Sequence, residues 1–366
     1  LLVYATQTVI LVTLLALIWR RNAQLDLFLV LLLSFWSIAV IAIFKRYGAD
    51  QVFFYSNDQL SQLKFVTQYI PLEGIPLRLN ELISWRYVTT LPVYFASKLG
   101  FDVILLLKFQ QLVYLTLIYK AGKNYLSRNH VVVKWWHLVF FCGPITIFMS
   151  TLALRDVALA YFVILSLFSA HPPANFIGLL GTSLLRPHLA VALIVGWVVA
   201  YFLRFVSKKF YIFTLGFIFI TAYAVGAYSY LLGAKLNSGP RLELANSVWS
   251  QYKFNRFGAN FIGLQFLTFD ESIVSASIPT LLLSRIVFFD TFFAPLLFVF
   301  WLLIYTPQWN RLKIWVFTSF VFFYGLTSQT NWNSSRQNIP FIIAMGLVGI
   351  VSLETFSNHR AKSLVK

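Results

Sequence analysis

Three short stretches carry charge where charge is expensive. "TLALRDVALAY" (151–161) sets Arg155 and Asp156 among apolar residues, "LLRPHLAV" (184–191) holds Arg186 and His188, and "NSSRQNIPF" (333–341) holds Arg336 just ahead of another apolar run. An ionised side chain at the centre of a bilayer costs ~2.5–3.5 kcal/mol on insertion scales. One arginine at a helix end serves as an anchor, its head snorkelling to lipid headgroups. Three of them, with a histidine beside the second, suit a cationic pocket for an anion. Guanidinium is a planar fork that binds phosphate or pyrophosphate oxygens two at a time. Arginines so placed would stabilise the negative charge that builds as a phosphate leaves, the electrostatic contribution that is usually largest in catalysis.

The rest of the chain is what must position them. Its 366 residues are 59% hydrophobic and only 11% charged, against about 25% charged in a soluble domain. The composition predicts an all-α fold: a polytopic transmembrane helix bundle forming a single integral membrane domain over 1–366. Apolar runs place about eleven spans near 1–18, 26–44, 101–119, 135–153, 157–170, 174–185, 189–203, 210–232, 281–305, 314–327 and 339–355. The run 174–185 is the weakest and reads as part of a broken or re-entrant helix. Residue 1 is Leu, which leaves room for one more helix upstream, and the first run lacks the basic lead of a cleavable signal peptide. No internal repeat is visible. The lone Cys142 forms no internal disulfide and says nothing of redox compartment.

Short loops set the orientation. Arg20–Arg21, the 120–134 connection, 204–209, 311–313 and the C-terminal tail hold 14 of the 29 basic residues but only Asp26 and Glu354 among the 12 acids. The positive-inside rule assigns them to the cytoplasm. The arginines at 155, 186 and 336 then all fall on the opposite face. The net charge of +17 would suggest nucleic acid in a soluble protein. In a polytopic one it reports topology and anionic partners, lipid headgroups or phosphates, and no nucleic acid.

Two long segments lie on the same face as those arginines, 45–100 and 233–280. In the first, apolar residues recur at helical spacing from Asp58 to Ile70, Ser56-Asn57-Asp58 is a plausible N-cap, and Pro71, Gly74 and Pro76 break the pattern. Helices lying on the membrane surface fit, so the segment is expected to carry amphipathic periplasmic helices. Asp50 and Asp58 are its acids nearest a span, and either would serve as general base for an acceptor hydroxyl. Tyr47, Tyr55, Trp85 and Tyr87 suit sugar faces or an interfacial belt. The second segment mixes Arg241, Lys253 and Arg256 with Trp249 and Tyr252, and Arg285 with Asp290 suits an ion pair in the span after it.

A phosphate at the outer face of a bacterial inner membrane, with lipid beside it and sugar beyond, is what a polyprenyl-linked saccharide presents. Glycosyl transfer with a phosphate leaving group needs no nucleotide site, and the chain has no P-loop or dinucleotide fingerprint. HExxH, paired CxxC, DxD and GxSxG patterns are also lacking, and the five histidines are scattered, so no metal and no cofactor is expected. A transporter of lipid-linked glycans is the reading from another class, but it should show repeated halves and charges near the midplane.

"LALRDVALAYFVILSLFSAHPPANFIGLLGTSLLRPHLAVAL" resembles the core of the Wzy-type polysaccharide polymerases, the O-antigen and exopolysaccharide polymerases, and particularly their EpsG-like branch. There an arginine opening a helix is followed, one helical hairpin later, by a basic or histidine-bearing turn, here Arg155 and Arg186-Pro187-His188. "YGADQVFFYSND" resembles that branch's Gly-Asp-aromatic motif, with Asp50 at the acid, and Arg336 is similarly placed to its late external arginine. The chain departs from the pattern at Asp156, where the branch more often carries Gln. The resemblance implies a multi-pass inner-membrane glycosyltransferase that moves a glycan from undecaprenyl pyrophosphate onto a newly flipped repeat unit, with inversion. Arg155, Arg186 and Arg336 would hold pyrophosphate, and Asp50, Asp58 or His188 would activate the acceptor. Donor and acceptor would both be polyprenyl-linked oligosaccharides, with polysaccharide-assembly proteins as further partners. The GT-C glycosyltransferases, which add a single sugar from a polyprenyl-phosphate donor, are the more distant likeness.

Overall fold

The computed structural model describes residues 2–22, 26–47, 56–75, 85–202, 208–236, 311–327 and 335–364. Every regular element among them is helical. The chain divides into two compact units, Leu1–Tyr125 with Val133–Leu185, and Leu126–Val132 with Arg186–Lys366.

Among the described residues three helices are long and apolar enough to cross a membrane, Leu2–Arg21, Leu27–Lys45 and Val103–Arg128, and all begin in the first unit. They belong to α1 (Leu2–Asn22), α2 (Leu27–Tyr47) and α6 (Val103–Arg128). Side-chain pairs fix an up-down-up arrangement. At one end Tyr4 stacks on Phe44 with ring centroids 4.7 Å apart, and the Gln7 amide brackets the entry to α6, donating to the Gly100 carbonyl and accepting from the Asp102 N–H. At the other end Lys120 lies over the Trp19 ring and Lys123 pairs with Asp26. The second end, carrying Arg20, Arg21, Lys120 and Lys123, is the basic one.

Asp26 ties that end together. Its carboxylate accepts the Tyr119 hydroxyl and the Lys123 ammonium, both at 2.6 Å, and the Leu29 N–H at 2.9 Å. Burial pushes its pKa up, but the bonds from Lys123, Tyr119 and the Leu29 backbone outweigh that and hold it below the ordinary carboxylate value. A depressed pKa contributes stability above the unfolded value of about 3.9 and loses it as pH falls through the lower folded value. Lys123 is 39% exposed, so solvent screening limits the gain to about 1 kcal/mol. Asp26→Asn should therefore melt below the wild type at pH 7, with the gap narrowing as pH falls below about 3.9 in thermal melts of the two proteins.

The first segment after α2 is helical where its spacing predicts. It forms α3 (Ser56–Lys64), a π-helical turn (Phe65–Tyr69) and α4 (Ile70–Glu73), ending at Gly74 with φ 77°. The π turn has a local cause: Pro71 has no N–H to give and its ring crowds the preceding turn, so the ladder widens ahead of it. Phe65, Ile70 and Tyr87 then form a small core with α5 (Trp85–Ser97). Tyr87, expected at a sugar face or in an interfacial belt, is instead buried against Phe65 at 5.0 Å. Tyr55 lies outside the described residues, as do the side chains of Tyr47 and Trp85.

The span expected at 135–153 is not one helix. A 3₁₀ turn (Trp135–His137) leads into α7 (Leu138–Phe141), the chain breaks at Cys142–Gly143, and α8 runs Pro144–Ser150. Pro144 explains the break, because the residue before a proline is driven out of the helical region, and Gly143 sits at φ −69°, ψ 172°. α9 (Asp156–Phe168) and α10 (Pro172–Leu185) follow as an antiparallel hairpin. The 13 residues of α9 rise about 20 Å, short of the ~30 Å hydrocarbon core. The described helices thus supply three of the expected spans at full length, and the segment 237–310, with the expected run 281–305, lies outside the described residues.

In the second unit α11 (Pro187–Phe202), α12 (Lys208–Leu236) and α14 (Ser335–Leu364) pack against α13 (Arg311–Thr327). The Trp315 indole donates to the Leu193 carbonyl at 2.8 Å and the Tyr211 hydroxyl lies 3.1 Å from that of Thr318. Ala200, Tyr211, Ile314 and Phe317 form the buried core.

Candidate functional site

The turn between α8 and α9, residues 151–155, is irregular backbone braced by side chains from elsewhere in the first unit. α8 stops because Ser150 and Thr151 turn their hydroxyls back onto the Ile147 and Phe148 carbonyls, at 2.5 and 2.7 Å, and so compete with the helical ladder. The freed backbone is then held by side chains from three other helices. The Trp36 indole (α2) donates to the Ser150 carbonyl at 3.0 Å. The Lys108 ammonium (α6) donates to the Thr151 carbonyl at 2.7 Å, and the Gln59 amide oxygen (α3) accepts the Ala153 N–H at 2.8 Å.

Depth explains this bracing. Trp36 is at the middle of the span Leu27–Lys45, and Lys108 is six residues, or about 9 Å, inside the Asp102 end of α6. At such depth non-helical backbone is tolerated only where protein satisfies it. The turn is therefore a built feature of the first unit, its irregular backbone satisfied by side chains of α2, α3 and α6. Gln59→Leu should cost about 1–3 kcal/mol by leaving the Ala153 N–H buried without its acceptor. An unchanged melting temperature for that variant would show the brace to be dispensable.

Arg155 and Asp156 end this turn. Arg155 is the N-cap residue of α9; its carbonyl accepts the Leu159 N–H at 2.9 Å, and its half-buried side chain makes no cap bond. Asp156 is 1% exposed in the first turn of α9, an acid at the positive end of the helix dipole. Asp58 belongs to α3, one residue before Gln59, so the Gln59–Ala153 bond brings its backbone to the same turn; its side chain is not described. Asp50 lies outside the described residues. An open groove of about 520 Å³ starts beside Gln59 and runs along α3 and α4, lined by Ser61, Lys64, Gln68, Tyr69 and Glu73 among others. The Glu73 carboxylate hydrogen-bonded to Tyr69 pushes the phenol up to about 12, keeping it a neutral donor.

The second unit holds the other three expected residues. Arg186 precedes α11, its carbonyl accepting the N–H groups of Leu189 and Ala190 at 3.1 and 3.3 Å, and Pro187 occupies the first helical position, where its missing N–H costs nothing. Arg186 is 4% exposed. The His188 ring stacks on Phe323 of α13 at 5.8 Å and 10°, and Phe323 packs on Phe341 of α14 at 5.5 Å. Arg336 lies in the first turn of α14, five residues before Phe341, its side chain not described. Arg186, His188 and the backbone of Arg336 thus gather at one end of this unit.

The bracing residues Trp36, Gln59 and Lys108 are not among those singled out in the sequence. One of them was visible: "VILLLKFQQLVYL" (103–115) sets Lys108 alone inside an apolar run, and an ionisable residue within a span marks a site by default. Gln59 and Trp36 gave no such signal, because a glutamine on an amphipathic helix and a tryptophan in a span are both ordinary. Among the described residues no three His, Cys, Asp or Glu side chains group to hold a metal ion. No family model, no curated protein and no solved structure matches the chain.

Proposed function

We propose that the protein is a membrane glycosyltransferase that polymerises polyprenyl-pyrophosphate-linked oligosaccharide repeat units at the periplasmic face of the inner membrane. The observation that carries the reading is the braced turn of the first unit. Three buried side chains from three helices hold a polar backbone segment inside an apolar bundle and end it on Arg155, a cation that matches a pyrophosphate leaving group. The apolar helices around it suit the polyprenyl tail, and the open groove along α3 and α4, where Ser61, Lys64, Gln68, Tyr69 and Glu73 stand among Leu60, Phe65 and Leu72, offers hydroxyl-binding groups to an acceptor saccharide.

In this reading an acceptor hydroxyl attacks the anomeric carbon of the donor. The new bond forms between that oxygen and C1 as the bond from C1 to the pyrophosphate oxygen breaks. Arg155 stabilises the charge arriving on the pyrophosphate, and the acceptor proton passes to a carboxylate, Asp58 or Asp50, with His188 the candidate base of the second unit. Arg186 and Arg336 take the same anion-binding role in the second unit. The test is turnover of an undecaprenyl-pyrophosphate-linked repeat unit by the purified full chain. A ladder of products supports the proposal. A single added sugar from a polyprenyl-monophosphate donor would replace it with single-sugar transfer, and no product from either donor would sink both.

A further inference from the structure

Lys108 and Gln111 stand three residues apart on one face of α6, 4% and 3% exposed, and the hydrogen-bonding capacity of both is unfilled. The ammonium has three donors. One goes to the Thr151 carbonyl at 2.7 Å, and the Phe44 ring lies 5.8 Å from Nζ. The ion pair among the described residues is Lys123 with Asp26, at the basic end; Lys108 has no acidic partner there. Gln111 Oε1 is buried and has no hydrogen-bond partner among the described residues.

A buried ammonium held by one carbonyl and an aromatic face is poorly compensated for its lost hydration. An anion in contact with it supplies what is missing. Phosphate oxygens accept the remaining N–H groups of Lys108, and the Gln111 amide, turned over about its last torsion, gives its NH₂ to the same oxygens. The contact to Thr151 aims the ammonium at the turn that ends on Arg155. Opposite charge is thus called for at a place already built from buried polar groups.

We infer that Lys108 is a phosphate ligand, binding an anionic phosphate beside the 151–155 turn with Gln111 as a second donor. The phosphate is either the pyrophosphate of a lipid carrier or a phospholipid headgroup, and only the choice of carrier rests on the proposed function.

The full chain reconstituted in phosphatidylcholine nanodiscs is titrated with inorganic pyrophosphate and followed by thermal melting. A second set of discs contains phosphatidylglycerol and no pyrophosphate. Lys108→Met removes the cation, and Lys108→Gln keeps a donor for Thr151, so the second variant reads the charge alone if the first does not fold. A pyrophosphate midpoint at least tenfold weaker in these variants supports the inference with a carrier-type ligand. A phosphatidylglycerol-dependent rise in melting temperature that the variants lose supports it with a headgroup. No response of the wild type to either anion, or a response the variants share, overturns it. Turnover of the lipid-linked repeat unit is measured on the same samples. Turnover with an unmoved anion response rejects Lys108 and leaves the polymerase standing, and an anion response without turnover does the reverse.

Discussion

Arg155→Ala is expected, on the proposed function, to lower turnover of an undecaprenyl-pyrophosphate-linked repeat unit by roughly 10²–10³-fold, the loss typical when one preorganised donor to a developing negative charge is removed. This arginine is poorly placed for an anchor. It sits half-buried at the end of a turn braced by Trp36, Gln59 and Lys108. Its backbone carbonyl supports the first turn of α9, and its side chain makes no cap bond. Alanine keeps that carbonyl while removing the fork. Arg155→Lys should recover only a small part of the activity, because an ammonium cannot bind two phosphate oxygens in the plane of a guanidinium. Single-turnover assays on monodisperse protein read both variants. A loss of folding that accompanies the loss of turnover would identify a structural arginine and end its assignment as a pyrophosphate ligand.

The second large effect is steric. Gly178 of α10 lies against α9 so closely that a β-carbon would stand 2.5 Å from the Ser166 nitrogen, 2.7 Å from the Phe162 oxygen and 2.9 Å from the Ser166 Cα. All three are backbone atoms, so no side chain can rotate away. Small residues at such crossings are how membrane helices approach each other closely. Gly178→Ala therefore forces the α9–α10 hairpin apart, at a cost of about 2–3 kcal/mol and a melting temperature lower by roughly 5 °C. Because α9 begins at Arg155 and Asp156, the same variant should also lose activity. Gly216→Ala is the matched control, since nothing lies within 4 Å of a β-carbon there, and it should melt with the wild type. Equal melting of the two variants would mean that the hairpin gives way without cost.

Several features were legible from residue order. The helical class follows from apolar runs that only helices can satisfy inside lipid. The helix after Ser56 follows from spacing, and its end at Gly74 from the punctuation of Pro71, Gly74 and Pro76. The helix start at Pro187, just after Arg186, follows from proline's fit to the first helical position. These are local effects, each decided within a turn or two of the residue concerned. The break inside 135–153 was legible in the same way at Gly143-Pro144, yet average hydropathy over the run outweighs one dipeptide when spans are drawn by composition.

Sequence by itself thus determined that this chain is a helical membrane protein, where its charges fall along the chain, and which of them cost energy in lipid. Only the tertiary structure decided that the Arg155 turn is set at the level of the middle of α2, and that Trp36, Gln59 and Lys108 hold it there. Those bonds join residues 94 to 114 positions apart for Gln59 and Trp36, and 43 for Lys108. No local preference encodes such pairings. They arise because buried backbone groups with no water within reach must take whatever donor or acceptor the packing of distant helices brings to them.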